Sequence, residues 1–186
     1  MLAVIAILAA LLIPKIFESI SSARIGATLL SCQTIKTAVL EHYGKFLSLA
    51  SSNGVALNVV DSYDGFDGIL LAEGLIDKPF DPKMGSSAVI RLRNVASYTA
   101  ATSVDPRDGF SAYDLDGDGI NDIVGTQFLV EATISGLTVA DAKALNDSLD
   151  GALLGESASG QDFKGRLTYH KSGSNPLVVH IYLTHH

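Results

Sequence analysis

The sequence predicts an α+β fold, in which one long N-terminal helix packs on a small antiparallel β-sheet with short helices in the connections. Three observations carry this expectation. An apolar run at the start continues into a one-sided helical pattern, several later stretches alternate apolar and polar residues, and short capped helical segments lie between them. The 186 residues are enough to bury a real core. The formal net charge of −7 and pI near 5.0 argue against a phosphate-binding nucleic-acid surface, which needs clustered Lys and Arg. Mean hydropathy is +0.30, and the opening run supplies much of it.

That run is "MLAVIAILAALLIPKIF", uncharged before Lys15. Met1 to Ile13 falls short of the roughly 20 apolar residues of a membrane-spanning helix. A basic region ahead of it and a small-residue cleavage site after it, the marks of a signal peptide, are both missing. The remaining reading is the apolar half of one longer helix. Beyond it Ile25, Leu29, Cys32, Ile35, Val39, Tyr43 and Phe46 recur at steps of three or four, with Arg24, Gln33, Lys36 and Glu41 between them. The helix should reach about Leu49 and stop at "SSNG", with Pro14 able to interrupt it because proline lacks a donor and clashes with the preceding turn. Cys32, the single cysteine, reads as a small apolar core residue on this helix.

Next, "DGILLAEGLIDKPFDP" predicts a short helix with Ile69, Leu70, Leu71, Leu75 and Ile76 on its apolar side. Asp67 would sit in its first turn, and Pro79 and Pro82 would stop it. "SAVIRLRNV" sets Ile90 and Leu92 against Arg91 and Arg93, and "TQFLVEATISG" alternates Phe128, Val130, Ala132 and Ile134 with polar partners. "LTVADAKALNDSLDG" has Thr138 and Asp141 at capping-box spacing, Ala142, Leu145 and Leu149 on one face, and Gly151 as its stop. At the end, Leu167 and Tyr169 face Leu177, Val179, Ile181 and Leu183 across a hairpin turned by "SGSNP".

The sharpest chemical motif is "YDLDGDGINDIVG". Asp114, Asp116 and Asp118 alternate, Gly119 permits a tight turn, Ile120 offers a backbone carbonyl, and Asp122 follows. Calcium takes about six to eight oxygens, and acids at every second position of a short loop can wrap one ion. The position where an EF-hand places its bidentate Glu is Gly125, so the loop resembles the "DxDGDGxxD" loops of extracellular repeat proteins more than a sensor hand. The bland alternative is a solvated acidic turn, although such crowding gains nothing without an ion. Magnesium fits less well because it keeps its waters. Asp105 or Asp108 could supply a further ligand, whereas Asp61, Asp64 and Asp67 read as capping and loop residues.

No Ser/His/Asp or Cys/His constellation has recognisable spacing and no phosphate loop occurs, so the chain does not read as an enzyme. His42 falls on the long helix and His170 and His180 on the hairpin strands, while His185 and His186 read as an exposed end.

"VIAILAALLIPKI" resembles the N-terminal helix of type IV pilins and type II secretion pseudopilins, and "LLAEGLIDKPFDPKMG" resembles a second pseudopilin segment. The resemblance implies the pilin fold, with residues 1–24 as the apolar half of the helix, 25–52 as its amphipathic half, and 53–186 as a globular head. In that family the mature chain begins with a short stretch bearing an early glutamate, and a prepilin peptidase removes the signal just before this helix. The resemblance implies either that such a leading region is missing ahead of Met1 or that the chain is a divergent member. The implied function is a structural subunit of a pilus-like or pseudopilus filament, polymerising through its N-terminal helices with an inner-membrane assembly platform and its ATPase. The subunit would sit in the inner membrane before assembly and in an extracellular or periplasmic filament after it. Several major pseudopilins hold this part of the head with calcium where other pilins use a disulfide, and the Asp114–Asp122 loop would take that role. The alternative is a monomeric membrane-anchored calcium-binding or adhesive module.

Overall fold

The first element, α1, is a helix from Leu2–Phe46. The structure, a computed structural model, describes residues 2–95, 113–123, 128–151, 154, 161–170 and 177–186, and for 2–12, 14 and 170 the backbone alone. Contrary to the expected interruption, α1 runs on through Pro14. A proline removes one hydrogen bond, and a helix of this length continues from the bonds on either side. The stop also differs from expectation. α1 ends at Phe46, where Leu47 takes a left-handed conformation (φ 56°) and its amide closes on the Tyr43 carbonyl at 2.7 Å. "SSNG" instead turns a hairpin between β1 (Ser51–Ser52) and β2 (Val55–Ala56). Asn53 (φ 50°) and Gly54 (φ 79°) supply the paired left-handed residues of a type I′ turn. The expected boundary at residue 52 therefore falls inside a hairpin.

The predicted apolar face of α1 packs as expected in its C-terminal half. Cys32, Ile35 and Val39 are buried, with Ile25, Leu29 and Tyr43 partly buried against the same core. Burying each such aliphatic side chain contributes about 1.5–3 kcal/mol. Burial pushes the Cys32 thiol up to about 12, which fits an inert core residue. The N-terminal half has no such cover at the residues whose side chains are described: Ile13, Ile16, Phe17 and Ile20 all stand exposed.

After β3 (Ser62–Asp64), α2 spans Phe66–Ala72 and buries Phe66, Ile69 and Leu70. Leu71, expected on the buried side, is exposed. The helix ends well before Pro79. The Leu75 amide bonds to the Leu70 carbonyl and the Gly74 amide to the Leu71 carbonyl, which is a Schellman closure. Asp67 does sit in the first turn, and its carboxylate accepts the Phe80 amide at 2.9 Å.

The main sheet adds β4 (Ser87–Asn94), β5 (Phe128–Leu137), β6 (Gln161–Asp162), β7 (Leu167–His170) and β8 (Leu177–His185). Its order is β3-β4-β5-β8-β7-β6, with every pairing antiparallel. The predicted C-terminal hairpin strands pair, while its "SGSNP" turn lies outside the described residues. α3 (Val139–Leu149) begins where expected: the Thr138 side chain accepts the Asp141 amide, and Ala142 and Leu145 are buried.

One sheet face carries Ile90, Leu92, Val130, Ala132, Ile134, Val179 and Ile181 into the core beneath α1, α2 and α3. The other face was expected to be polar, and this needs correction for β5. Leu129, Glu131 and Thr133 are buried there too, and Leu129 joins Val95, Tyr113 and Ile123 in a second apolar cluster. The acidic segment is therefore anchored, although Asp116, Asp118, Ile120 and Asp122 are themselves exposed. Its two flanking residues are core.

Candidate metal centre

Tyr113 and Ile123 anchor the acidic loop at its ends, at 1% and 0% exposure. Asn121 closes the base: its side-chain oxygen accepts the amides of Tyr113 (3.0 Å) and Ile123 (3.1 Å), and its NH2 donates to the Ile123 carbonyl (2.7 Å). A backbone bond from Asp122 to the Tyr113 carbonyl (2.8 Å) draws the two arms together.

Within this closed loop the backbone amides turn inward to the acids. Asp114, itself 1% exposed, accepts the Gly117 amide at 2.7 Å and the Gly119 amide at 2.9 Å. Asp116 accepts the Asp118 amide, Asp118 the Ile120 amide, and Asp122 the Leu115 amide. Gly119 holds φ 90°, a left-handed value that a side chain would strain. These bonds wrap the segment tightly enough that one carboxylate oxygen each from Asp114, Asp116 and Asp122 lie within 4.8 Å of one another. Calcium–oxygen distances of about 2.3–2.6 Å put opposite ligands of one ion about 5 Å apart, so this trio can hold a metal ion.

Of the five expected metal residues, the structure brings three carboxylates together. Asp118 stands outside that trio, its carboxylate turned to the Ile120 amide, and Ile120 lies on the exposed tip of the loop. Asp105, Asp108 and Gly125 lie outside the described residues. Asp67 sits in the first turn of α2, as expected, but Asp64 lies on β3 and pairs with Arg91 at 2.5 Å, which holds its carboxyl below the usual range.

Residues that the motif did not point to hold the loop on the body. Asp114 forms a backbone bridge with Lys164, and its carbonyl accepts the Gly165 amide at 2.7 Å. The Lys164 ammonium reaches the Gly117 carbonyl at 3.3 Å. On the sheet side, the Tyr113 hydroxyl donates to Glu131 at 2.9 Å, and Glu131 also meets Arg93 (2.9 Å) and His180 (3.5 Å). Burial pushes the Glu131 carboxyl up, but His180, Arg93 and Tyr113 together outweigh it and bring it down to about 2. Burial, and then the Glu131 charge, drive the Tyr113 hydroxyl well above its ordinary value. The one sequence signal for this cluster was an acid set among the apolar residues of "FLVEATI".

Of the terminal histidines, His186 is exposed, as expected, whereas His185 is half-buried. His185 is a strand residue sharing a 2.7 Å hydrogen bond with the Tyr182 hydroxyl, and the His186 ring stacks on Tyr43 at 4.0 Å. Burial pushes the His185 ring down, followed by the effect of His186, with Asp122 opposing both. Compared with known proteins, the chain matches no family, no curated protein and no solved structure.

Proposed function

We propose that the chain is a pilin-like structural subunit that polymerises through its N-terminal helix and carries a calcium-stabilised head. The observation that carries this reading is the division of α1. Its C-terminal half is built into the core, while Ile13, Ile16, Phe17 and Ile20 stand exposed on the same continuous helix. An uncovered apolar surface of this kind calls for a partner. In a homopolymer the N-terminal halves bury one another. Among the described residues, no helix is long and apolar enough to cross a membrane. The N-terminal sequence resemblance to type IV pilins and pseudopilins supports the same arrangement, with an inner-membrane assembly platform and prepilin peptidase as partners.

Calcium is the proposed occupant of the Asp114, Asp116 and Asp122 trio, with Asp118 and the Ile120 carbonyl as further ligands once the loop closes on the ion. The three convergent oxygens are hard, carry negative charge and belong to a short loop, which favours calcium over softer or smaller ions. Electron microscopy of the native material tests the assembly. Helical filaments with the N-terminal halves protected inside support it, and discrete monomers overturn it in favour of an anchored calcium-binding module.

A further inference from the structure

His42 is fully buried near the end of α1, and it joins three parts of the molecule. Its Nδ1 lies 2.6 Å from Glu73 Oε2 at the end of α2, and its Nε2 lies 3.2 Å from the Ser51 hydroxyl at the start of β1. The other Glu73 oxygen accepts the Asn53 amide of the hairpin turn at 2.8 Å. The Phe46 and Phe66 rings flank the imidazole at 5.0 and 5.4 Å. Glu73 is the charged group in direct contact with the ring, and Lys45 Nζ lies 5.0 Å from the Phe46 ring centroid. A serine, a histidine and a carboxylate in this order have the layout of a nucleophile, its base and an orienting acid. Ser51 is only 4% exposed, however, so no substrate reaches its oxygen in this fold.

The Ser51 hydroxyl has one hydrogen and two acceptors in reach, the Ser48 carbonyl at 3.1 Å and His42 Nε2 at 3.2 Å. Nδ1 donates to the Glu73 carboxylate in either charge state of the ring. When the ring is cationic, Nε2 also donates, to the Ser51 oxygen, and the hydroxyl hydrogen goes to Ser48. When the ring is neutral, Nε2 becomes an acceptor and takes that hydrogen, leaving the Ser48 carbonyl without it. We propose that His42, Ser51 and Glu73 form a proton-controlled latch at the joint between α1 and the head. The charge on His42 sets which way the Ser51 hydroxyl points, and so whether the Ser48–Ser51 connection is tied down.

The test is a pH titration by NMR on the full chain in mild detergent, with the His42 ring nitrogens, the Ser48 carbonyl carbon and Ser51 Cβ observed together from about pH 5 to 8. The expected result is that the Ser48 and Ser51 signals shift with the same midpoint as the ring. In Ser51→Ala the ring still titrates and the Ser48 shift is lost. A ring that titrates while Ser48 stays still overturns the latch, as does a ring that keeps one charge state throughout. A Ser48 shift that persists in Ser51→Ala also overturns it. If that variant does not fold, the wild-type titration alone decides.

Discussion

Single residues in the acidic loop divide by what they hold. Asp114 is buried and satisfies the Gly117 and Gly119 amides without help from an ion, whereas the exposed Asp116 accepts one amide at 3.1 Å. Asp114→Ala should therefore cost about 1–3 kcal/mol even with chelator present, because two amides lose their acceptor. Asp116→Ala should melt like wild type in chelator and lose the calcium-dependent rise in Tm. Thermal melts of both variants with calcium and with chelator check this, and an identical calcium response in Asp116→Ala and wild type counts against the ion. Glu131 predicts a pH effect of definite sign. Its carboxyl is held at about 2 in the fold against an ordinary 4.5, so the unfolded chain binds more protons between those values. The stability it confers is complete above about 4.5 and is lost as the pH falls toward 2. Urea unfolding across this range should show that decline, and Tyr113→Phe, which removes one donor to the carboxylate, should make it shallower.

Among the elements, α3 is the clearest case of local chemistry deciding a boundary. Thr138 caps its first turn in both directions, accepting the Asp141 amide and donating to the Asp141 carboxylate at 2.7 Å. Thr138→Ala should cost about 0.5–2 kcal/mol by urea unfolding, and Thr138→Ser should restore most of it. The C-terminal ends of α1 and α2 show the limit of such signals. For α1, "SSNG" has the form of a helix stop, yet its Asn53-Gly54 dipeptide turns a hairpin four residues beyond Leu49. For α2, the Gly74 closure acts before Pro79 and Pro82 are reached. In each case the turn residues were visible, and which neighbour they served was not.

The whole molecule joins a conventional core to a helix that outruns it. If the exposed Ile13, Ile16, Phe17 and Ile20 serve assembly, Phe17→Asp should abolish filaments while leaving the head folded, since Phe17 is 67% exposed and outside the core. Electron microscopy paired with circular dichroism separates the two effects. Filaments of normal length in this variant would remove Phe17 from the subunit contact.

The amino-acid order by itself determined the class of fold, the buried face of α1, the inner faces of the strands and the acids that converge in the loop. Each of these is a local or periodic property, set by helical and strand spacing or by residues a few positions apart. Only the tertiary structure decided that the second face of β5 is also covered, because that depends on Tyr113 and Ile123 folding back over Leu129 and Glu131. The same holds for the Lys164 and Gly165 support of the loop and for the meeting of His42 with Ser51 and Glu73. Those contacts join residues far apart along the chain, and no spacing in the sequence records which distant partner a buried polar group will find.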